Sequence, residues 1–102
     1  MIARIWEGRT TIEHSALYRK IIVERDIPNY KNAKGFVKLT FLKRIENDHC
    51  HFKLITFWEG LDAVKDFAGA NPEIAVSYTE DEKYVIDFPG SVHHYDIFAE
   101  SP

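Results

Sequence analysis

Thr56-Phe57-Trp58-Glu59-Gly60-Leu61-Asp62-Ala63-Val64-Lys65-Asp66-Phe67-Ala68-Gly69 decides the fold. Its first residues continue an apolar run that begins at Leu54, and a short apolar run bounded by turn residues reads as the end of a buried strand. Glu59-Gly60 is a turn. Leu61, Val64, Phe67 and Ala68 then recur at helical spacing, which gives a short helix one apolar face. Gly69 stands at the helix C-cap, where glycine takes the left-handed backbone without steric cost. A strand that hands over to a helix within two residues belongs to a sheet with helices packed on it.

Upstream, His49 to Glu59 is the return strand of a hairpin whose first arm is Gly35 to Glu46, with turn chemistry in Glu46-Asn47-Asp48. Met1 to Gly8 is an Ile- and Trp-rich strand. Thr10 with Glu13 three residues on is a capping-box pattern. The helix it opens runs to about Asp26, with Leu17, Tyr18, Ile21, Ile22 and Arg25 on one face. Pro28 is expected to stop it, because the residue before a proline avoids helical geometry. Asn29 to Lys34 reads as a loop. Downstream, Asn71-Pro72-Glu73 has the chemistry of a short helical start. Thr79-Glu80-Asp81-Glu82 opens a turn through Ile86, and Gly90 to Ala99 is the last strand. The order is β-α-β-β-α-β, the split pattern of a ferredoxin-like α+β domain with both main helices on one face of an antiparallel sheet. In that topology the first strand lies between the third and the fourth. One domain spans 1–102.

Alternation sorts the return strand into Cys50, Phe52, Leu54, Thr56 and Trp58, apolar enough to face the helices, and His49, His51, Lys53, Ile55 and Phe57 on the other side. Ile55 and Phe57, with Leu39 and Phe41 of the preceding strand, leave an apolar open face. Such a face predicts a partner.

The chain has 102 residues, a net charge of −3, 45% hydrophobic and 14% aromatic residues. So many aromatics fill a core, line a cavity or form an interface. Mixed charge without a basic cluster argues against nucleic acid. No apolar stretch is long enough to span a bilayer, and Met1-Ile2-Ala3-Arg4-Ile5-Trp6 does not read as a signal peptide. Cys50 is the single cysteine, so no intrachain disulfide forms and a cytoplasmic setting is expected. His49 and His51 share a strand face as two metal ligands would, but no third or fourth ligand is evident, so no metal is expected. Phosphate loops, nucleophile elbows and dinucleotide fingerprints are absent from the sequence, so no cofactor is expected either.

Trp58-Glu59, the following Phe67-Ala68-Gly69 and the late run His94-Tyr95-Asp96 resemble the antibiotic biosynthesis monooxygenase-like family of the dimeric α+β barrel superfamily. The resemblance covers nearly the whole chain, and its motifs are more structural than catalytic. It implies a homodimer built sheet to sheet. It also implies a cavity between sheet and helices, with Trp58 in its wall, for a small aromatic, polyketide-like or apolar ligand. The implied chemistry is cofactor-independent oxygenation. An Asn-Trp-Tyr-Arg constellation like that of the quinone-forming members is lacking, and only the tryptophan carries over, to Trp58. Haem-degrading members use a first-strand asparagine and a histidine after the tryptophan, and this chain has neither. A non-enzymatic binding module remains the alternative.

Other residues extend the candidate site. His94 has opposite parity to His93, so one of the two faces inward, and an inward histidine can serve as a base near neutral pH. Arg4 lies among apolar residues and needs a partner, either Asp96 across the sheet or an anionic group of a ligand. Trp6 and Tyr18 can add aromatic wall. Each of these residues also has a plain structural reading, as core or interface.

Overall fold

The computed structural model describes residues 1–76, 78–86 and 92–102. The elements are β1 (Ile2–Thr11), α1 (Ile12–Lys31), β2 (Phe36–Glu46), β3 (His49–Trp58), α2 (Leu61–Ala68), α3 (Thr79–Tyr84) and β4 (His93–Asp96). The strands form one antiparallel sheet in the order β2-β3-β1-β4. β1 therefore lies between β3 and β4, as the ferredoxin-like α+β order requires.

β3 alternates as its sequence dictates. Cys50, Phe52, Leu54, Thr56 and Trp58 are all buried on the helix side, and the residues between them are half-buried. The β2–β3 turn places Asn47 at φ 54°, a left-handed position that asparagine tolerates. Gly69 caps α2 with φ 100°.

β2 corrects the alternation. Leu39 and Phe41 read as open-face residues, yet both pack against the helix-side core. Phe36 pairs with Trp58 and Lys38 with Phe57, so Val37 is an extra residue in the strand. Such an irregularity shifts every later side chain to the opposite face. Phe36, Leu39 and Phe41 consequently share the helix side, and Lys38, Thr40 and Leu42 lie on the open side.

α1 departs from its expected limits at both ends. Its N-cap is Thr11, whose hydroxyl accepts from the His14 N–H at 3.3 Å. Thr10 does not cap: it is fully buried, and its hydroxyl donates to Thr11 O at 2.9 Å. At the other end the helix continues through Pro28 to Lys31. Pro28 and Glu24, whose carbonyl loses its donor, both lie on the exposed side. The last turn is held from within by Tyr30, whose ring stacks 4.6 Å from Phe67 and lies 6.1 Å from Trp58. Burial of this tyrosine outweighs the local preference to stop. The buried stripe of α1 is Tyr18, Ile22, Asp26 and Tyr30, a four-residue step, while Leu17 is 48% exposed.

Asn71-Pro72-Glu73 forms a single turn, with Ile74 N–H donating to Asn71 O, and residues 74–76 do not continue it as a helix. The cap of α3 is Tyr78 in place of Thr79, its N–H donating to Asp81 Oδ2 at 3.3 Å. Ile86 leaves the helix to bridge Arg9. Of the last strand's expected range, Gly90 and Ser91 lie outside the described residues. β4 ends at Asp96, four residues in register with Ile2 to Ile5 of β1.

Two core clusters fill the space between sheet and helices. Tyr18, Ile22, Cys50, Phe52 and Val85 form one, and Tyr30, Leu54, Trp58 and Val64 the other. Trp6 packs against both.

Candidate functional site

Register brings the charged residues of the site together. Arg4 of β1 stands opposite Thr56 of β3 and His94 of β4, so all three share the helix-facing side of the sheet. Asp96 registers with Ile2 and is exposed, so the Arg4–Asp96 pair does not form. Arg4 instead turns inward, 3% exposed, and its Nη2 donates to Pro72 O at 3.4 Å and Ile74 O at 3.3 Å. Burial lowers its pKa, and the neighbouring Tyr30 phenol opposes that shift. Among the described residues its Nε is buried without a hydrogen-bond partner.

A second cluster, not anticipated from the sequence, lies beside it. Arg25 of α1 clasps Asp26 through Nε at 2.7 Å and Nη2 at 3.2 Å, and Nη2 also reaches Asp81 Oδ1 at 3.1 Å. Tyr18 donates its hydroxyl to the same Asp81 oxygen at 2.7 Å. The Arg25 guanidinium lies 4.0 Å over the Tyr78 ring. Burial alone would depress Arg25, but the bonds and charges of Asp26 and Asp81 outweigh it and hold the guanidinium above its ordinary value. Burial pushes Asp26 upward against the pull of Arg25. Tyr18 and Tyr30 are raised, chiefly by burial, and stay phenolic. The sequence signal for this cluster was Asp26 itself, an acid four residues from both Ile22 and Tyr30 on the buried stripe.

A cavity of about 30 Å³, room for roughly one water, separates these groups; its walls include Arg4, Trp6, Tyr18, Arg25, Tyr30 and Tyr78. Thus Arg4, Trp6 and Tyr18 converge on one space. Trp58 and His94 are not among its lining residues. Trp58 is fully buried, its indole N–H donating to Thr56 Oγ1 at 2.8 Å, with the rings of Tyr30, Phe36 and Phe67 at 5.4–6.1 Å. It closes an aromatic corner. His94 faces inward, whereas His93 is exposed. Burial first, then the Arg4 charge, lowers the His94 pKa, and its Nε2 is buried without a partner among the described residues.

A larger groove, about 420 Å³, crosses the far end of the sheet and includes Glu7, Arg9, Leu42, Arg44, His51 and Lys53. Nearby, His49 and His51 find no third His, Cys, Asp or Glu among the described residues. Cys50 is fully buried and burial raises its thiol pKa, so it is no ready nucleophile.

No protein-family model matches the chain, and no curated protein does. Its backbone nevertheless resembles solved structures along its whole length. The haem degrader MhuD of Mycobacterium tuberculosis, seen with two haems bound in its active site, gives a TM-score of 0.69 at 13% identity, with 100% of each chain covered. A candidate antibiotic biosynthesis monooxygenase from Bacillus cereus gives 0.65 at 12% identity, over 99% of this chain and 96% of that one. The resemblance carried by Trp58-Glu59 and His94-Tyr95-Asp96 is therefore met at the level of the fold: this is an α+β chain with a ferredoxin-like fold, shared with these structures. Identities this low speak for the fold, while function lives in the site. None of the described helices is long and apolar enough to cross a membrane.

Proposed function

We propose that the chain is a cofactor-independent monooxygenase, cytoplasmic and homodimeric, acting on a small aromatic or polyketide-like substrate in the cleft beneath α1. The observation that supports this reading most is the register of His94, on the inner face of the sheet, with Arg4, which shares a cavity wall with Trp6, Tyr18 and Tyr30. With its pKa below the ordinary value, the His94 imidazole is neutral near pH 7 and able to accept a proton. It would take that proton from a phenolic or enolic substrate, and Arg4 would stabilise the resulting anion in a low-dielectric setting. The anion is electron-rich enough to reduce oxygen itself. One oxygen atom enters the substrate, the other leaves as water, and both electrons come from the substrate as phenol becomes quinone. No external reductant is needed.

Residues on the open face supply the dimer. Ala3, Ile5, Ile55 and Phe57 are in mutual register there, flanked by Leu42 and Tyr95, which are 45% and 55% exposed. A second copy laid sheet to sheet would cover them.

A second reading, a dimeric binding module without catalysis, is favoured by the closed packing around Trp58 and by the small volume of the cavity. Haem fits less well, since β1 has no asparagine and Leu61–Ala68 no histidine. An oxygen electrode with naphthols, anthrones and cyclic 1,3-diketones separates the readings. Oxygen uptake that falls about 10²–10⁴-fold in His94→Gln supports the oxygenase. Binding without uptake leaves the module. A visible absorption band in the protein as purified would point instead to a bound chromophore.

A further inference from the structure

Arg4 and Arg25 form a comparison within one molecule. Arg25 uses the Nε–Nη2 edge of its guanidinium to grip both oxygens of the Asp26 carboxylate. That edge matches a carboxylate because its two N–H groups are parallel and spaced like the two oxygens. Arg4 is more deeply buried, at 3% exposed, and has no ion pair among the described residues. Its Nη2 is divided between two neutral carbonyls, at 3.3 and 3.4 Å, at the long end of the hydrogen-bond range; the Tyr30 phenol beside it supports the charge but is itself neutral, and its Nε has no partner among the described residues. A cation this deep normally demands a counter-charge, because its desolvation costs several kcal/mol. Asp26 and Asp81, the acids lining the same cavity, are already held by Arg25.

We propose that Arg4 is the receptor for a carboxylate on the ligand. The two carboxylate oxygens would take the Nε–Nη2 edge of Arg4 as those of Asp26 take the edge of Arg25, displacing the carbonyls of Pro72 and Ile74. The ligand is then an aromatic or enolic acid, its ring against Trp6, Tyr18 and Tyr30. Room is made by the segment that carries those carbonyls. Among the described residues, 71–76 hold one turn, a single bridge position at Ile74 and the Val92 N–H bond to Glu73 O at 2.8 Å, and Ile74 is 53% exposed. Segments so lightly tied are displaced at the lowest cost. The substrate class deepens the oxygenase reading and rests on it for the location of the cleft, yet carboxylate binding does not depend on turnover.

The test uses acid and amide pairs, benzoate with benzamide and salicylate with salicylamide, at millimolar concentration against the purified chain. Thermal shift and calorimetry are the readouts. The wild type should be stabilised by the acids and not by the amides. Arg4→Gln should lose acid binding roughly tenfold or more, the worth of a charge-assisted bond. Arg4→Lys, which keeps the charge without the fork, should fall between them, and it covers the case in which the glutamine variant does not fold. A clamp that merely ties down Pro72 and Ile74 would lower the melting temperature of both variants without changing the acid-to-amide ratio. Acids binding no better than amides, or as well to Arg4→Gln as to wild type, overturns the proposal. Acid binding without oxygen uptake leaves it standing and removes the oxygenase. Oxygen uptake with neutral phenols, together with acids that bind no better than their amides, does the reverse.

Discussion

At the residue scale, Trp58 and His94 sit in the same layer yet behave differently. Trp58 combines full burial, three aromatic neighbours and a satisfied indole N–H, so it is a structural keystone of the β3–α2 corner. Trp58→Ala should cost about 3–5 kcal/mol, read from chemical denaturation, because a cavity is left where the ring was. His94 speaks through pH. Its folded-state pKa lies below the ordinary histidine value, so in the window between the two the unfolded chain binds more protons than the folded one. Stability therefore rises with pH through that window and is lost as pH falls through the folded value. Arg4 disfavours the charged form and Glu73 favours it, with burial the largest influence. Melting temperatures should fall below about pH 6.5, and His94→Gln should flatten part of that slope. His51 is shifted in the same direction and would retain its own share. A slope unchanged by His94→Gln would exclude His94 as the titrating group.

Elements show where local rules hold and where packing overrides them. The α2 helix obeys its spacing, and Val64 is fully buried at its centre. Its seat depends on Gly35, which has φ +81° and would place a Cβ 2.5 Å from the Ala63 Cβ. Gly35→Ala thus combines a left-handed backbone cost of about 1–2 kcal/mol with a clash against α2. The expected outcome is a loss above that range in urea unfolding, and a neutral result would mean the β2 entrance moves freely. α1 illustrates the opposite case. Its local signals, Thr10 and Pro28, place both ends wrongly, because the Thr10 hydroxyl is buried against Thr11 O and Tyr30 draws the last turn inward. Similarly, the extra residue at Val37 reverses Leu39 and Phe41, which simple alternation cannot register.

For the whole molecule, the unresolved demand is the open face. Ile5→Glu or Phe57→Glu would set a charge in the middle of the proposed interface, facing its own symmetry copy. Light scattering should show a dimer for the wild type and a monomer for either variant, with secondary structure retained. A monomeric wild type at micromolar concentration would remove the dimer and leave that apolar face unexplained. The order of elements, the sheet topology that follows from it, the two faces of β3, the turn at Asn47 and the cap at Gly69 were all legible in the chain. Each depends on period-two alternation, helical spacing or the backbone freedom of one residue, and these are local quantities. The candidate site was legible only in part. Arg4, Trp6 and Tyr18 were recognisable as residues that needed partners, but who those partners are is a matter of packing. Arg25 meets Asp81 across 56 positions, and Arg4 meets Pro72 and Ile74 across 68 and 70. Contacts at such separation are chosen by how α1 and the 71–81 region close over the sheet, where burial makes every charge find a partner or remain, like the Nε of Arg4, without one.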